Sequence, residues 1–361
     1  MIAGEEQACI AGRGIKLNRM AGAGLLERLE QGHVICAEGY LFELERRGYI
    51  QAGAFVPEAV LDHPEKVTEL HREFVHAGSD VVEAFTYYAH REKMRVVGKE
   101  GLLEELNRNA LALAKEVADE TGSLFAGDIC NTNVFDPDDP ESRKAVQAMF
   151  DEQVAWAAEA GVDYVIAETY SYAEEARMAL ETIKAAGLPA VVTMCIHQEP
   201  MTRDGMTPAD ACAMLEQAGA DVVGLNCIRG LRTTMDLLPS IREQVSGYVA
   251  ALPVPYQTTD EMPTFQSLRH PRHDGMLFPT ALEPFESTRF EVTEFAQEAD
   301  ALGIAYLGLC CGNASYLTRA LAEALGRTPP ASRYSPDMSK HAYYGTDPLL
   351  KPANIDFADQ L

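Results

Sequence analysis

Several things are scarce in this chain, and each scarcity excludes a class of function. Basic residues are outnumbered, 30 Lys and Arg against 55 Asp and Glu, for a formal charge of −25. A surface this acidic repels phosphate backbones and anionic lipid, so neither nucleic acid nor membrane is expected as a partner. No apolar run reaches the roughly 18–20 residues of a membrane helix. The first 25 residues carry charges throughout and lack the apolar stretch of a signal peptide. The 8 cysteines follow no disulfide framework and include no C-x-x-C pair, so a dithiol redox motif is absent. Free or metal-bound thiols in a reducing cytoplasm are the expectation. Nor does a Gly-rich phosphate loop follow the first strand-like run, which argues against a doubly wound nucleotide-binding sheet.

What is present is a regular alternation. Strand-like apolar runs occur at His33–Ala37, Asp80–Thr86, Ser123–Cys130, Asp163–Glu168, Ala190–Cys195, Asp221–Cys227, Tyr248–Val254 and Ala305–Cys310. Between them lie stretches with helical periodicity, such as Ser142–Ala160, Ala173–Ala186, Pro208–Ala218 and Arg289–Ala301. Gly161, Gly219 and Gly303 each stand at a helix end just before a new strand. Strands apolar on both faces belong to a parallel sheet, and eight strand–helix units make a (β/α)8 TIM-type barrel. The chain divides into an N-terminal leader (1–24), the barrel (25–327) and a C-terminal tail (328–361) rich in Pro, Ser and Tyr, expected as an extended arm and a contact in a homo-oligomer. The long segment Thr258–Pro284 after the seventh strand, with Arg269, His270 and His273, is expected as a lid or contact element.

Chemistry in such a barrel gathers at the carboxyl ends of the strands. Those ends carry Glu38 and Gly39, Phe85 to Tyr88, Asn131, Glu168, Cys195, Asn226 with Cys227, and the vicinal pair Cys310-Cys311. A vicinal pair closes a strained ring and makes a poor structural disulfide. Both thiols can face one site only if the strand breaks there, and Gly312 supplies the backbone freedom. Cys227, Cys310 and Cys311 therefore read as three thiolate ligands for one soft ion, with a fourth position open. Cys9, Cys36, Cys130 and Cys212 read as small buried hydrophobes, and Cys195 as a packing residue near the site. Three thiolates on Zn2+ make an electron-rich centre, a modest activator of water and a good holder of a further thiolate nucleophile. The chemistry points to alkylation of a substrate thiol. A zinc hydrolase on a barrel would want His and carboxylate ligands instead; a zinc- or thiol-binding protein without turnover is the third alternative.

The G-x-N-C of Gly224–Cys227 and the G-x-C-C-G of Gly308–Gly312 resemble the zinc signature of the homocysteine S-methyltransferases. Further stretches carry the likeness: LERRGY at 44–49, His63-Pro64-Glu65, LHREF at 70–74, Phe85-Thr86 with Tyr88, Ile166–Glu168, TMCI at 193–196, LEP at 282–284 and PPAS at 329–332. Within the family the chain most resembles the betaine-dependent members. The resemblance implies a (β/α)8 barrel with zinc on Cys227, Cys310 and Cys311, and the homocysteine thiolate as fourth ligand, giving methionine. It implies that Glu168 holds the homocysteine ammonium, that Tyr88 and Phe55 border a betaine-type donor, and that Glu38, Gly39 and Asn226 belong to the substrate site. Aromatic rings suit a methylammonium through cation–π attraction. A sulfonium donor, S-methylmethionine or dimethylsulfoniopropionate, or a different acceptor thiol, is the alternative. Two departures stand out. The family's first strand ends in Asp-Gly-Gly, here Ala37-Glu38-Gly39, and Thr169 follows Glu168 where the betaine enzymes carry tyrosine.

Overall fold

The computed structural model describes residues 22–272 and 274–361. Most of the expected leader, together with Cys9, and His273 fall outside the described residues. Eight parallel strands make one sheet: β1 Val34–Ala37, β2 Val81–Glu83, β3 Leu124–Cys130, β4 Tyr164–Tyr170, β5 Ala190–Met194, β6 Val222–Gly230, β7 Tyr248–Val254 and β8 Tyr306–Leu309. Their spatial order is β1-β8-β7-β6-β5-β4-β3-β2, with every ladder parallel. All eight expected strands form, and helices packed outside them complete a TIM-type barrel.

The β1–β2 seam closes by one backbone bond and by side chains in place of a ladder. Asp80 gives its backbone N–H to the Ile35 carbonyl at 2.7 Å, and its carboxylate accepts the Ile35 N–H at 2.9 Å. The Ser79 hydroxyl accepts from the Ala37 N–H at 3.1 Å and donates to the Ile35 carbonyl at 3.2 Å. Arg327, beyond the last barrel helix, clamps the Asp80 carboxylate and the His33 carbonyl.

Strand periodicity sorts the side chains. Residues i, i+2 and i+4 share a face, so Val34-Cys36, Val81-Glu83, Leu124-Ala126-Asp128, Tyr164-Ile166-Glu168 and Val222-Gly224-Asn226 point into the barrel. The lower layers are apolar and include Cys36, Ala126, Ile166, Leu252 and Tyr306. Tyr164 and Tyr306 meet across the interior, their hydroxyls 2.9 Å apart. The alternate residues pack outward against the helices in the largest apolar cluster, with Ile35, Val82, Phe125, Val165 and Leu307. A third cluster, Tyr40, Phe42, Phe74, Phe85, Tyr256, Phe265 and Leu268 among others, roofs the carboxyl-terminal end.

Several elements end as the sequence indicates. The helices Pro140–Ala160 and Arg289–Leu302 stop at Gly161 and Gly303, both left-handed. The second opens with a capping box between Thr288 and Glu291. The segment after β7 is packed rather than loose: Phe265, Leu268, Leu277 and Leu282 are buried, and Arg229 bridges to Thr264. The tail carries short helical turns at Pro330–Tyr334, Met338–Lys340 and Pro352–Phe357, joined by irregular chain.

One buried group gives the fold a pH signature. His71, on the helix Pro64–Ala77, is buried against the Tyr40 ring, and neither ring nitrogen has a hydrogen-bond partner among the described residues. Burial pushes its pKa down to about 3, helped by the neighbouring Arg72 charge. Because the folded value lies below the unfolded one near 6.5, the associated stability is complete above pH 6.5 and drains away as pH falls toward 3. Relative to His71→Phe, the wild-type chain should lose about 2 kcal/mol between pH 7 and pH 5, read from urea midpoints. Parallel pH profiles of the two proteins would refute this origin.

Candidate active site at the carboxyl ends of the strands

The three cysteines arrive from two strands that both break at the right residue. β6 runs past its expected end, but Cys227 and Ile228 take φ of 55° and 59°, and the β6–β7 register shifts between Asn226 and Gly230. Left-handed backbone at two non-glycine residues costs on the order of 1–3 kcal/mol each. It turns Cys227, one residue after inward-facing Asn226, toward the same interior. β8 stops at Leu309, and the Cys310–Gly312 turn swings both thiols to one side. Gly312 has φ 93°, and a Cβ there would lie 2.5 Å from the Tyr256 hydroxyl. The Sγ atoms of Cys227, Cys310 and Cys311 lie within 4.8 Å of one another, with 4.0 Å between the vicinal pair. Tetrahedral zinc with Zn–S bonds near 2.3 Å wants thiolates about 3.8 Å apart. The donor set and spacing fit zinc. The neighbouring thiols Cys227 and Cys310 pull the Cys311 thiol down to about 6, whereas burial pushes Cys310 up.

Glu168 leaves β4 at a similar break, Thr169 having φ 62°. Its carboxylate accepts from the Thr169 hydroxyl at 2.8 Å and from the Asn226 amide. That amide also lies 2.9 Å from the Thr169 hydroxyl and 3.4 Å from Glu38 Oε2, while Asn226 Oδ1 accepts the Thr169 N–H at 2.9 Å. Burial lifts Glu168 to about 8, with the Thr169 hydrogen bond opposing the shift. Glu38, the displaced carboxylate of the first strand, does reach the site. It is buried, groups with Glu168 and Cys310, and leaves Oε1 without a partner. Burial, reinforced by the Glu168 charge, raises its pKa too. Gly39 makes the turn that puts it there: φ is 101°, and an added Cβ would stand 2.9 Å from the Cys310 carbonyl.

One cavity unites these groups. Glu38, Gly39, Glu168, Cys227, Cys310 and Cys311 line it, together with Tyr40, Glu83, Phe85, Tyr87, Asp128 and Thr169. The expected donor aromatics are not in its lining. Tyr88 stands just behind it: its ring packs 4.4 Å from that of Tyr87, which is in the wall, and the Lys93 ammonium lies 4.4 Å from its ring centre. Tyr88 has φ 61°, so the alternation of extended backbone does not apply to the pair and the sequence alone could not rank the two tyrosines. Phe55 stacks on Phe42 at 5.9 Å in the roof. Cys195 is buried against the Ser171 hydroxyl and the Thr169 carbonyl, as a packing residue would be. Cys36, Cys130 and Cys212 are buried as well. Sequence reasoning missed Glu83 and Asp128, although a signal existed: each is an acid at an inward position of a wholly buried strand.

The family model for homocysteine S-methyltransferase matches residues 35–325. The chain belongs to the homocysteine S-methyltransferase family. It is 37% identical over 337 residues to the S-methylmethionine–homocysteine S-methyltransferase of Pongo abelii, spanning 90% of this chain and 87% of that one. It is 36% identical to betaine–homocysteine S-methyltransferase 1 of Mus musculus, spanning 91% and 80%. Among solved structures, the metallated homocysteine methyltransferase MmuM of Escherichia coli superposes with TM-score 0.64 at 19% identity, over 81% of this chain and 96% of that one. At that identity the likeness speaks for the barrel.

Gly39→Ala should destabilise the chain by about 1–3 kcal/mol through its left-handed φ. It should also push the Cys310 backbone away and lower zinc content. Urea titration and metal analysis at unchanged stoichiometry would contradict this.

Proposed function

We propose that this family member transfers a methyl group from an onium donor of the glycine betaine type to the thiol of homocysteine, giving methionine, with zinc on Cys227, Cys310 and Cys311. The observation that carries the reading is the convergence of three thiols within 4.8 Å beside Glu168 in one cavity. Cys227, Cys310 and Cys311 would hold the zinc, which would supply the Lewis acidity that lowers a substrate thiol's pKa and holds it as a thiolate at neutral pH. The chain's own groups do the rest. Glu168 accepts the acceptor's ammonium and Glu38, in the first-strand turn, helps to orient the acceptor; Asn226 bonds both side chains and carries no charge of its own. The roof of Phe42, Phe55, Phe265 and Phe278 keeps water from the mouth, with Tyr87 in the wall of the cavity.

The thiolate lone pair forms the new C–S bond while the donor's C–N bond breaks, its electrons returning to nitrogen. A tertiary amine leaves uncharged at nitrogen, so no general acid is required. Catalysis is alignment and desolvation of a charged pair that becomes less charged along the path. The reading also places the chain in the cytoplasm; among the described residues no helix is long and apolar enough to cross a membrane. We place a homo-oligomer contact on the tail, where Tyr334, Met338, Tyr344, Leu349 and Phe357 are exposed.

Zinc-loaded protein given homocysteine and a panel of onium donors should form methionine, detected by mass spectrometry, with glycine betaine among the active donors. Cys311→Ala should lose zinc and fall at least about 100-fold in kcat/KM. Full zinc and full activity in that variant would remove the ligand assignment, and methionine from sulfonium donors alone would replace the betaine. Deleting residues 337–361 should shift the molecular mass in light scattering toward the monomer; an unchanged mass would exclude the tail contact.

A further inference from the structure

Beneath the cysteines the cavity becomes an acidic chamber. Glu83 at the end of β2 and Asp128 on β3 join Glu168, one carboxylate oxygen of each lying within 4.8 Å of the others. With Glu38, four carboxyl groups line this one cavity, and among the described residues that line it there is no Lys, Arg or His. All four are buried, 3–4% exposed. Among the described residues Asp128 Oδ1 and Glu38 Oε1 are buried without hydrogen-bond partners, and both residues line the cavity. A buried carboxylate left without a partner is costly and is retained only if something completes it. Glu83 spends one oxygen on a weak contact with the Cys36 thiol at 3.9 Å.

We propose that Glu83 and Asp128 determine acceptor specificity: with Glu168 they form a three-carboxylate seat for the acceptor's ammonium, so the enzyme selects its thiol substrate by the amine and not by the carboxylate. The inference rests on the thiol-methylation reading above and deepens it. An ammonium has three N–H donors, and three carboxylates around one point satisfy all of them with charge-assisted bonds. The same chamber repels a carboxylate, and no basic side chain in the lining offers compensation. The sulfur and the amine of a short aminothiol are separated by a few bonds, matching a cavity whose wall carries the cysteine thiols above and the acids below. A thiol lacking the amine gains none of these bonds and sets its carboxylate in the same acidic cavity, and that mismatch is the basis of discrimination.

The test uses the full-length zinc-loaded protein and calorimetric binding of three thiols, so that no methyl donor is involved. These are homocysteine, aminopropanethiol (the same chain without the carboxylate) and mercaptobutanoate (the same chain without the amine). Aminopropanethiol should bind at least as tightly as homocysteine, and mercaptobutanoate about 100-fold more weakly or worse. Asp128→Asn and Glu83→Gln, which preserve shape, should each weaken the two amines about 10- to 100-fold and leave mercaptobutanoate unchanged or improved. Zinc content and melting temperature, measured in parallel, report whether the variants are folded and loaded. Equal binding of mercaptobutanoate and homocysteine would overturn the proposal. So would a second, tightly held metal ion lost in Asp128→Asn with the amine preference intact, which would make the chamber an inorganic cation site. Failure of the broader reading looks different: selective binding of amines with no methylated product from any donor.

Discussion

The side chain of Asn226 ties the site together. It lies at the last regular position of β6, immediately before the backbone turns left-handed to present Cys227. One neutral amide spans the ends of β4 and β6 and the turn after β1: its NH2 meets Glu168, Thr169 and Glu38, and its oxygen takes the Thr169 N–H. A cation at this point would neutralise the carboxylates and close them to a substrate. An apolar residue would leave them unpaired and mutually repelling. An amide bonds both acids and still leaves acceptor capacity open, as at Glu38 Oε1, which is what a pocket for a positively charged group needs. The positive φ of Thr169, on one side of that network, and of Cys227, next in the chain, is held by the same bonds.

The displaced acid of the first strand illustrates how backbone and side chain compensate. Glu38 stands one residue later than the family's aspartate, and in a strand a one-residue shift moves a side chain to the opposite face. Here β1 has already ended at Ala37, and left-handed Gly39 follows. The carboxylate is therefore placed by a turn rather than a pleat, and its longer arm points inward to Cys310 and Glu168. Strain and crowding converge on Gly39, which is why one added methyl group there would disturb the metal site on the other side of the seam.

The barrel itself was legible in the chain because its signals are local and repeated. Apolar strands recur eight times with helical periodicity between them, glycines mark several of the helix ends, and each unit stands on short-range preferences. The candidate zinc ligands were legible for a similar reason: vicinal cysteines between a buried strand and a glycine admit few alternatives. The tail was not legible, because its helical turns form without any amphipathic period in its own sequence to predict them.

By itself, then, the sequence determined the fold class, the family and the three thiols, since all of these are written in residue type and spacing. Tertiary structure alone decided the rest of the pocket. That Tyr87 lines the cavity with Tyr88 packed behind it, and that Glu38 reaches the cavity from a turn beyond the end of β1, are facts of tertiary structure. That Glu83 and Asp128 stand beside Glu168 follows from the stagger of β2, β3 and β4, with Val81 opposite Leu124 and Asp128 opposite Ile166. Stagger in a closed barrel is a property of all eight strands together, and no local stretch of sequence encodes it.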